Sequence, residues 1–106
     1  MSSFDQREKD FERKFQHDEE LRFKVTNRRN KLLGLWASEH LGKSGDAAEE
    51  YAIEVVKSDF EKAGHEDVVE KVLADFEAAN VKIGADEIRA KMQHLIDEAK
   101  RQVMTE

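Results

Sequence analysis

The stretch 86–103, Asp-Glu-Ile-Arg-Ala-Lys-Met-Gln-His-Leu-Ile-Asp-Glu-Ala-Lys-Arg-Gln-Val, places apolar side chains at Ile88, Met92, Leu95, Ile96, Ala99 and Val103. Counted from Ile88 they fall at i+4, i+7, i+8, i+11 and i+15, which is one face of a helix turning every ~3.6 residues. A strand would alternate with period two, and no part of this stretch does. The spacing predicts a long amphipathic helix that begins around Gly84–Asp86 and runs nearly to the last residue.

The same periodicity repeats toward the N-terminus. Val81-Lys82-Ile83 is too short for a strand of its own and reads as an extended connector turning two β-branched side chains inward. Before it, Val69, Val72, Leu73 and Phe76 give a helix over about 66–79, with Asn80 as its C-terminal cap. Tyr51, Ala52, Val55, Val56 and Phe60 give another, which Asp46 can cap with Glu49 three residues on, and which Gly64 ends. Leu21, Val25, Leu32, Leu33 and Trp36 give the first body helix over about 20–41, followed by Gly42 as a left-handed terminator and a Lys43-Ser44-Gly45 loop. Trp36 reads as a core anchor. Gly34 inside this helix costs on the order of 1 kcal/mol against alanine, and a close helix–helix or helix–partner approach is the usual reason for keeping it. Four helices joined by short connections make an all-α four-helix bundle over 20–106.

Composition agrees. The chain has 106 residues, of which 40% are charged, and neither proline nor cysteine. Disulfides, thiolate metal sites and cysteine nucleophiles are therefore excluded. No apolar run approaches the ~20 residues that span a bilayer, and the N-terminus is too charged for a secretory signal, so a cytoplasmic protein without membrane insertion is expected. The net charge of −6 is uneven: residues 1–43 carry ten Lys/Arg against eight Asp/Glu, residues 44–106 eight against sixteen. An acidic back half makes nucleic acid a poor partner.

The first nineteen residues differ from the rest. Phe4, Phe11 and Phe15 share a stripe within roughly 40° on a helix, among Asp5, Arg7, Glu8, Lys9, Asp10, Glu12, Arg13 and Lys14. So narrow a stripe does not hold a short helix in water alone, but it suits a partner's groove, where a few aromatic anchors supply affinity. Residues 16–20 carry no apolar side chain, and Phe23 lies on another face. Residues 1–19 are thus expected to form a mobile arm, disordered or partly helical when free; folding back onto the bundle, or remaining a solvated tail, are the competing readings.

Catalytic motifs are lacking. Gly42-Lys43-Ser44 matches the end of a phosphate-binding loop, but the first glycine of that motif is replaced by Ala37 and a helix, not a strand, precedes it. A helix cap and turn is the simpler reading, with weak, non-catalytic nucleotide contact left open. His17, His40, His65 and His94 are too scattered for a metal site. No nucleophile–base set is evident, so neither an enzyme nor a cofactor is expected. Five basic residues, Arg22, Lys24, Arg28, Arg29 and Lys31, fall within 22–31 without an acid. They read as a solvated face, or as a docking surface for an acidic partner or for the chain's own back half.

Several blocks resemble the zeta subunit family of alphaproteobacterial F-type ATP synthases. They are Met-Ser-Ser-Phe-Asp-Gln-Arg-Glu-Lys at 1–9, Phe-Gln-His-Asp-Glu-Glu-Leu at 15–21, Arg-Arg-Asn-Lys-Leu-Leu-Gly-Leu-Trp-Ala at 28–37, Leu-Gly-Lys-Ser-Gly at 41–45, Ser-Asp-Phe-Glu at 58–61 and Asp-Glu-Ile-Arg-Ala-Lys-Met at 86–92. The resemblance spans almost the whole chain. It implies an inhibitory subunit whose N-terminal segment enters an interface between the alpha and beta subunits near the gamma stalk, becomes helical there and blocks ATP hydrolysis. Carried onto this chain, Phe4, Phe11 and Phe15 would be anchors, and Arg7, Lys9, Arg13 and Lys14 would meet acidic or backbone groups. It also implies residence at the cytoplasmic face of the inner membrane when bound to the synthase, and weak adenine-nucleotide association, for which Gly42, Lys43 and Ser44 are the candidates. A small nucleotide-responsive helical module, with little or no inhibition of the synthase, is the alternative.

Overall fold

A computed structural model describes residues 3–59 and 65–106, the side chains of residues 3–5 excepted. Among the described residues there are five helices: α1 (Ser3–His17), α2 (Glu19–His40), α3 (Gly45–Lys57), α4 (His65–Ala78) and α5 (Ala85–Met104). There is no strand among the described residues. Phe60 and Gly64, expected to close the second body helix, lie outside the described residues, as do the first two residues of the expected arm.

Local chemistry explains most of the boundaries. At its start, α2 is capped by the Asp18 carboxylate, which accepts the Leu21 N–H at 3.1 Å, and Glu19 and Glu20 place negative charge at the positive end of the helix dipole. At its end Gly42 takes φ 75°, and the Lys43 N–H reaches back to the Ser38 carbonyl at 2.8 Å. Asn80 takes φ 61° after α4, letting the Val81 N–H reach the Phe76 carbonyl at 2.8 Å. Gly84 begins α5, and its N–H donates to the Glu87 carboxylate at 3.2 Å.

One expected cap is corrected. Asp46 does not cap α3: Ser44 occupies the cap position with no side-chain bond, and Asp46 sits inside the first turn. Gly45 at the start of the helix takes φ 57°, a left-handed conformation open to glycine at little cost.

In the body, α2 touches each of the other four helices. The main core joins α2 to α3, α4 and α5 through Leu33, Ala37, Tyr51, Val55, Val68, Val69, Val72, Phe76, Ile88, Met92 and Leu95. Full burial of an aliphatic or aromatic side chain contributes roughly 1.5–3 kcal/mol, so this cluster dominates the energetics. Val81 and Ile83 of the connector pack against it, half-buried. Trp36 also packs on it at partial burial, with its ring centroid 5.8 Å from that of Phe76 in an edge-on arrangement.

Gly34 lies where α2 and α3 cross. A Cβ there would come within 2.6 Å of the Ala52 Cα. The glycine is kept because backbone meets backbone, which outweighs its helix penalty.

Asn30 is fully buried and bridges α2 to the end of the α3 segment, donating to the Asp59 carboxylate at 2.9 Å. On its other side it accepts two bonds from Arg29. Burial lowers the Arg29 pKa, while the nearby Asp59 charge opposes that shift.

Candidate functional site

The N-terminal segment is not a free arm in this structure. It is a helix laid against the body, the arrangement of the competing fold-back reading. The physical reason is a second, smaller apolar cluster. Val25 of α2 and Ala99 and Val103 of α5 are buried together, and Phe11 and Phe15 pack against them at partial burial. Leu21, Leu32 and Ile96 complete the seat. The stripe that is too sparse to fold by itself finds apolar ground on its own chain.

The two rings are stacked, with centroids 6.3 Å apart and planes 19° off parallel. Lys100 joins them to α5 twice over. Its ammonium lies 4.6 Å from the Phe15 ring centroid and 3.1 Å from a Glu12 carboxylate oxygen. Beside this contact, a cleft of about 280 Å³ opens between α1 and α5, bordered by Glu8, Phe11, Glu12, Asp97, Lys100 and Arg101.

The cationic anchors proposed from the resemblance are differently placed. Arg7, Lys9, Arg13 and Lys14 are all exposed, and none forms an ion pair with another described side chain. The Phe4 side chain lies outside the described residues. Of the anchor set, therefore, the structure gathers Phe11 and Phe15 into one contact and leaves the four cations facing solvent.

Sequence reasoning missed the seat itself: Val25, Ala99, Val103, and the Lys100–Glu12 pair. One signal was available. The α5 stripe continues through Ala99 and Val103, a turn past the residues that meet α3 and α4.

The basic run of α2 is divided. Arg28 donates to Gln102 at 2.9 Å and pairs with Glu106, so part of the run docks on the chain's own acidic half. That bond from Arg28 holds the Glu106 carboxyl below its ordinary pKa. Arg22 donates to the Gln16 carbonyl at 3.0 Å, and Lys24 and Lys31 are exposed.

Gly42, Lys43 and Ser44 are exposed. They form the turn between α2 and α3, where the Lys43 N–H is already bonded to α2 and its ammonium lies 5.9 Å from the Tyr51 ring centroid. Tyr51 donates to Asp75 at 2.8 Å; burial first, and then this bond, raise its pKa. Among the described residues no group of three or more His, Asp or Glu is arranged to hold a metal ion, and no helix is long and apolar enough to cross a membrane.

A family model described as ATPase inhibitor subunit zeta matches residues 1–102. A structure described only as the solution NMR structure of a protein is 54% identical, with the alignment covering 80% of this chain and 96% of that one at a TM-score of 0.71. No curated protein matches the chain.

Proposed function

The chain belongs to the ATPase inhibitor subunit zeta family, and from that membership we propose that it restrains ATP hydrolysis by an F-type ATP synthase through α1. In this reading α1 leaves its seat and enters an interface between the alpha and beta subunits near the gamma stalk. Phe4, Phe11 and Phe15 anchor it there, and Arg7, Lys9, Arg13 and Lys14 meet acidic side chains or backbone carbonyls. The body, residues 20–106, stays at the rim of the catalytic assembly, on the cytoplasmic face of the inner membrane. The subunit contributes no catalytic residue of its own.

The observation that carries this reading is how lightly α1 is held. Two half-buried rings contribute on the order of 2–3 kcal/mol together. The Lys100–Phe15 contact adds ~0.5–1 kcal/mol, and the partly exposed Lys100–Glu12 pair at most ~1 kcal/mol. The sum is roughly 3–5 kcal/mol before the entropy of ordering α1 is subtracted. At ~1.4 kcal/mol per tenfold, that gross sum bounds the loss in the arm's apparent affinity for a partner at roughly 10²–10³·⁵, and the ordering entropy makes the actual loss smaller. A cleft that buries all three rings and pairs the four exposed cations exceeds it.

The test compares full-length protein with a chain spanning residues 20–106 for inhibition of ATP hydrolysis by the matching catalytic complex. Inhibition by the full chain alone is the expected result. Equal inhibition by the shortened chain, or unchanged hydrolysis in excess full-length protein, would overturn the proposal.

A further inference from the structure

Asp18 is the only non-helical residue between α1 and α2. It adopts φ −109° and ψ 106°, an extended conformation. The helical bonding pattern nevertheless continues on either side of it. The Asp18 N–H donates to the Lys14 carbonyl at 2.9 Å, and the Asp18 carbonyl accepts the Arg22 N–H at 3.0 Å. The break omits only the bonds that the N–H groups of Glu19, Glu20 and Leu21 would make to Phe15, Gln16 and His17. The Asp18 carboxylate replaces the last of these, and the Arg22 guanidinium takes the Gln16 carbonyl.

Nothing else in the local sequence enforces a break. Residues 14–22 contain neither glycine nor proline, and all are compatible with a helix interior. We infer that Asp18 is a hinge. Rotation of this one residue from extended to helical backbone fuses α1 and α2 into a single helix over 3–40 and swings Phe11 and Phe15 off Lys100, Val25, Ala99 and Val103.

The bent form is the one seen, and the fused form differs from it by a short list of interactions. The bent form has the Asp18 cap, the Arg22–Gln16 bond and the seat on α5. The fused form has three backbone bonds in their place, with α1 projecting from the body as one rod, about 57 Å long at 1.5 Å per residue. A partner that binds the exposed rings selects the fused form by mass action. The inference rests on the proposed role of α1 only for its purpose. The hinge itself is a property of the free chain.

The test uses the free full-length protein and two variants. Asp18→Ala removes the cap and supplies a strong helix former, and loss of a cap of this kind shifts such a balance about tenfold. Asp18→Ser keeps a capping oxygen. NMR reads the backbone at residue 18 through its Cα shift, the exchange protection of the Glu19, Glu20 and Leu21 amides, and the Phe15 ring signals near Lys100. Asp18→Ala should give a helical shift at residue 18, protected amides at 19–21 and Phe15 signals that have left Lys100, while Asp18→Ser stays like the parent. Trp36 fluorescence confirms that the body remains folded in each. The inference is overturned if Asp18→Ala keeps the extended shift and fast amides, or frees Phe15 while residues 19–21 stay unprotected, since that is an arm that frays rather than fuses. No synthase enters the measurement, so the hinge fails or stands separately from inhibition.

Discussion

The two apolar clusters of this molecule use the same kinds of residue at the same helical spacing, yet hold their helices very differently. The main core buries Phe76, Ile88, Leu33 and four valines completely, drawing on four helices. The second cluster completely buries only Val25 and Ala99, and α1 contributes two rings that are only partly buried. A helix whose apolar stripe is covered from several directions is part of the fold. A helix that meets its chain on one side, through two rings and one lysine, is a ligand that happens to be covalently attached. The difference lies in how much of the stripe finds cover, and sequence periodicity alone does not report that.

Removing a ring from each cluster gives the sharpest test of the contrast. Phe76→Ala should destabilise the whole protein by about 3–5 kcal/mol, seen as a lower midpoint in denaturant with α2–α5 unfolding together. Gly34→Ala should follow at about 1–3 kcal/mol. The added Cβ would lie 2.6 Å from the Ala52 Cα, and the ~1 kcal/mol gained in helix propensity does not offset forcing α2 and α3 apart. If Gly34→Ala proves stabilising, the close crossing of α2 and α3 is wrong.

The double change Phe11→Ala with Phe15→Ala should act at the other cluster only. It should weaken α1 docking by roughly 2 kcal/mol and leave the body's unfolding midpoint nearly unchanged. Hydrogen exchange checks it: α1 amides should lose protection and α3 and α4 amides should keep theirs. A fall in global stability comparable to that of Phe76→Ala would show that α1 belongs to the fold and erase the contrast between the clusters.

How much of this was readable from the chain follows from the same distinction. Helices α2, α4 and α5 were legible because each repeats apolar residues at helical spacing, and Gly34 announced a close crossing, whereas α3 stops at Lys57, short of the expected extension through Phe60. The inward turn of Val81 and Ile83 was legible because β-branched residues too few for a strand still seek cover. The start of α3 was not, since Ser44 and Asp46 are both good caps and residue type alone does not choose between them. The seat of α1 was not legible either. Phe11 and Phe15 suit a foreign groove and the chain's own flank equally well, and the choice depends on Val25, Ala99 and Val103 forming one patch from residues more than seventy positions apart. Lys100 could be placed on the α5 surface, but not over a ring of α1.

The smallest expected effect concerns the border between the two regions. Arg28 of α2 holds Glu106 just beyond the end of α5, and Arg89 near the start of α5 holds Glu66 of α4 at 2.8 Å. Both carboxyls have lowered pKa values, in each case first through the bond from the arginine. A group with a depressed folded pKa adds stability above its unfolded value and loses it as pH falls through the folded one. The two pairs therefore contribute fully above the ordinary carboxylate value of 4.5 and fade below it. Because both carboxyls are exposed, the loss is modest and salt weakens it further. Acidification below that value should lower the exchange protection, relative to the intrinsic rate, at the C-terminal turn of α5 and in the docked α1 beside it before it affects α3. Glu106→Gln should make the exchange protection of that turn nearly independent of pH while leaving the Glu66–Arg89 pair as it was. If Glu106→Gln keeps the full acid response at the end of α5, the Arg28 contact does not hold that end, and the flank on which α1 rests draws its firmness from Val25, Ala99 and Val103 alone.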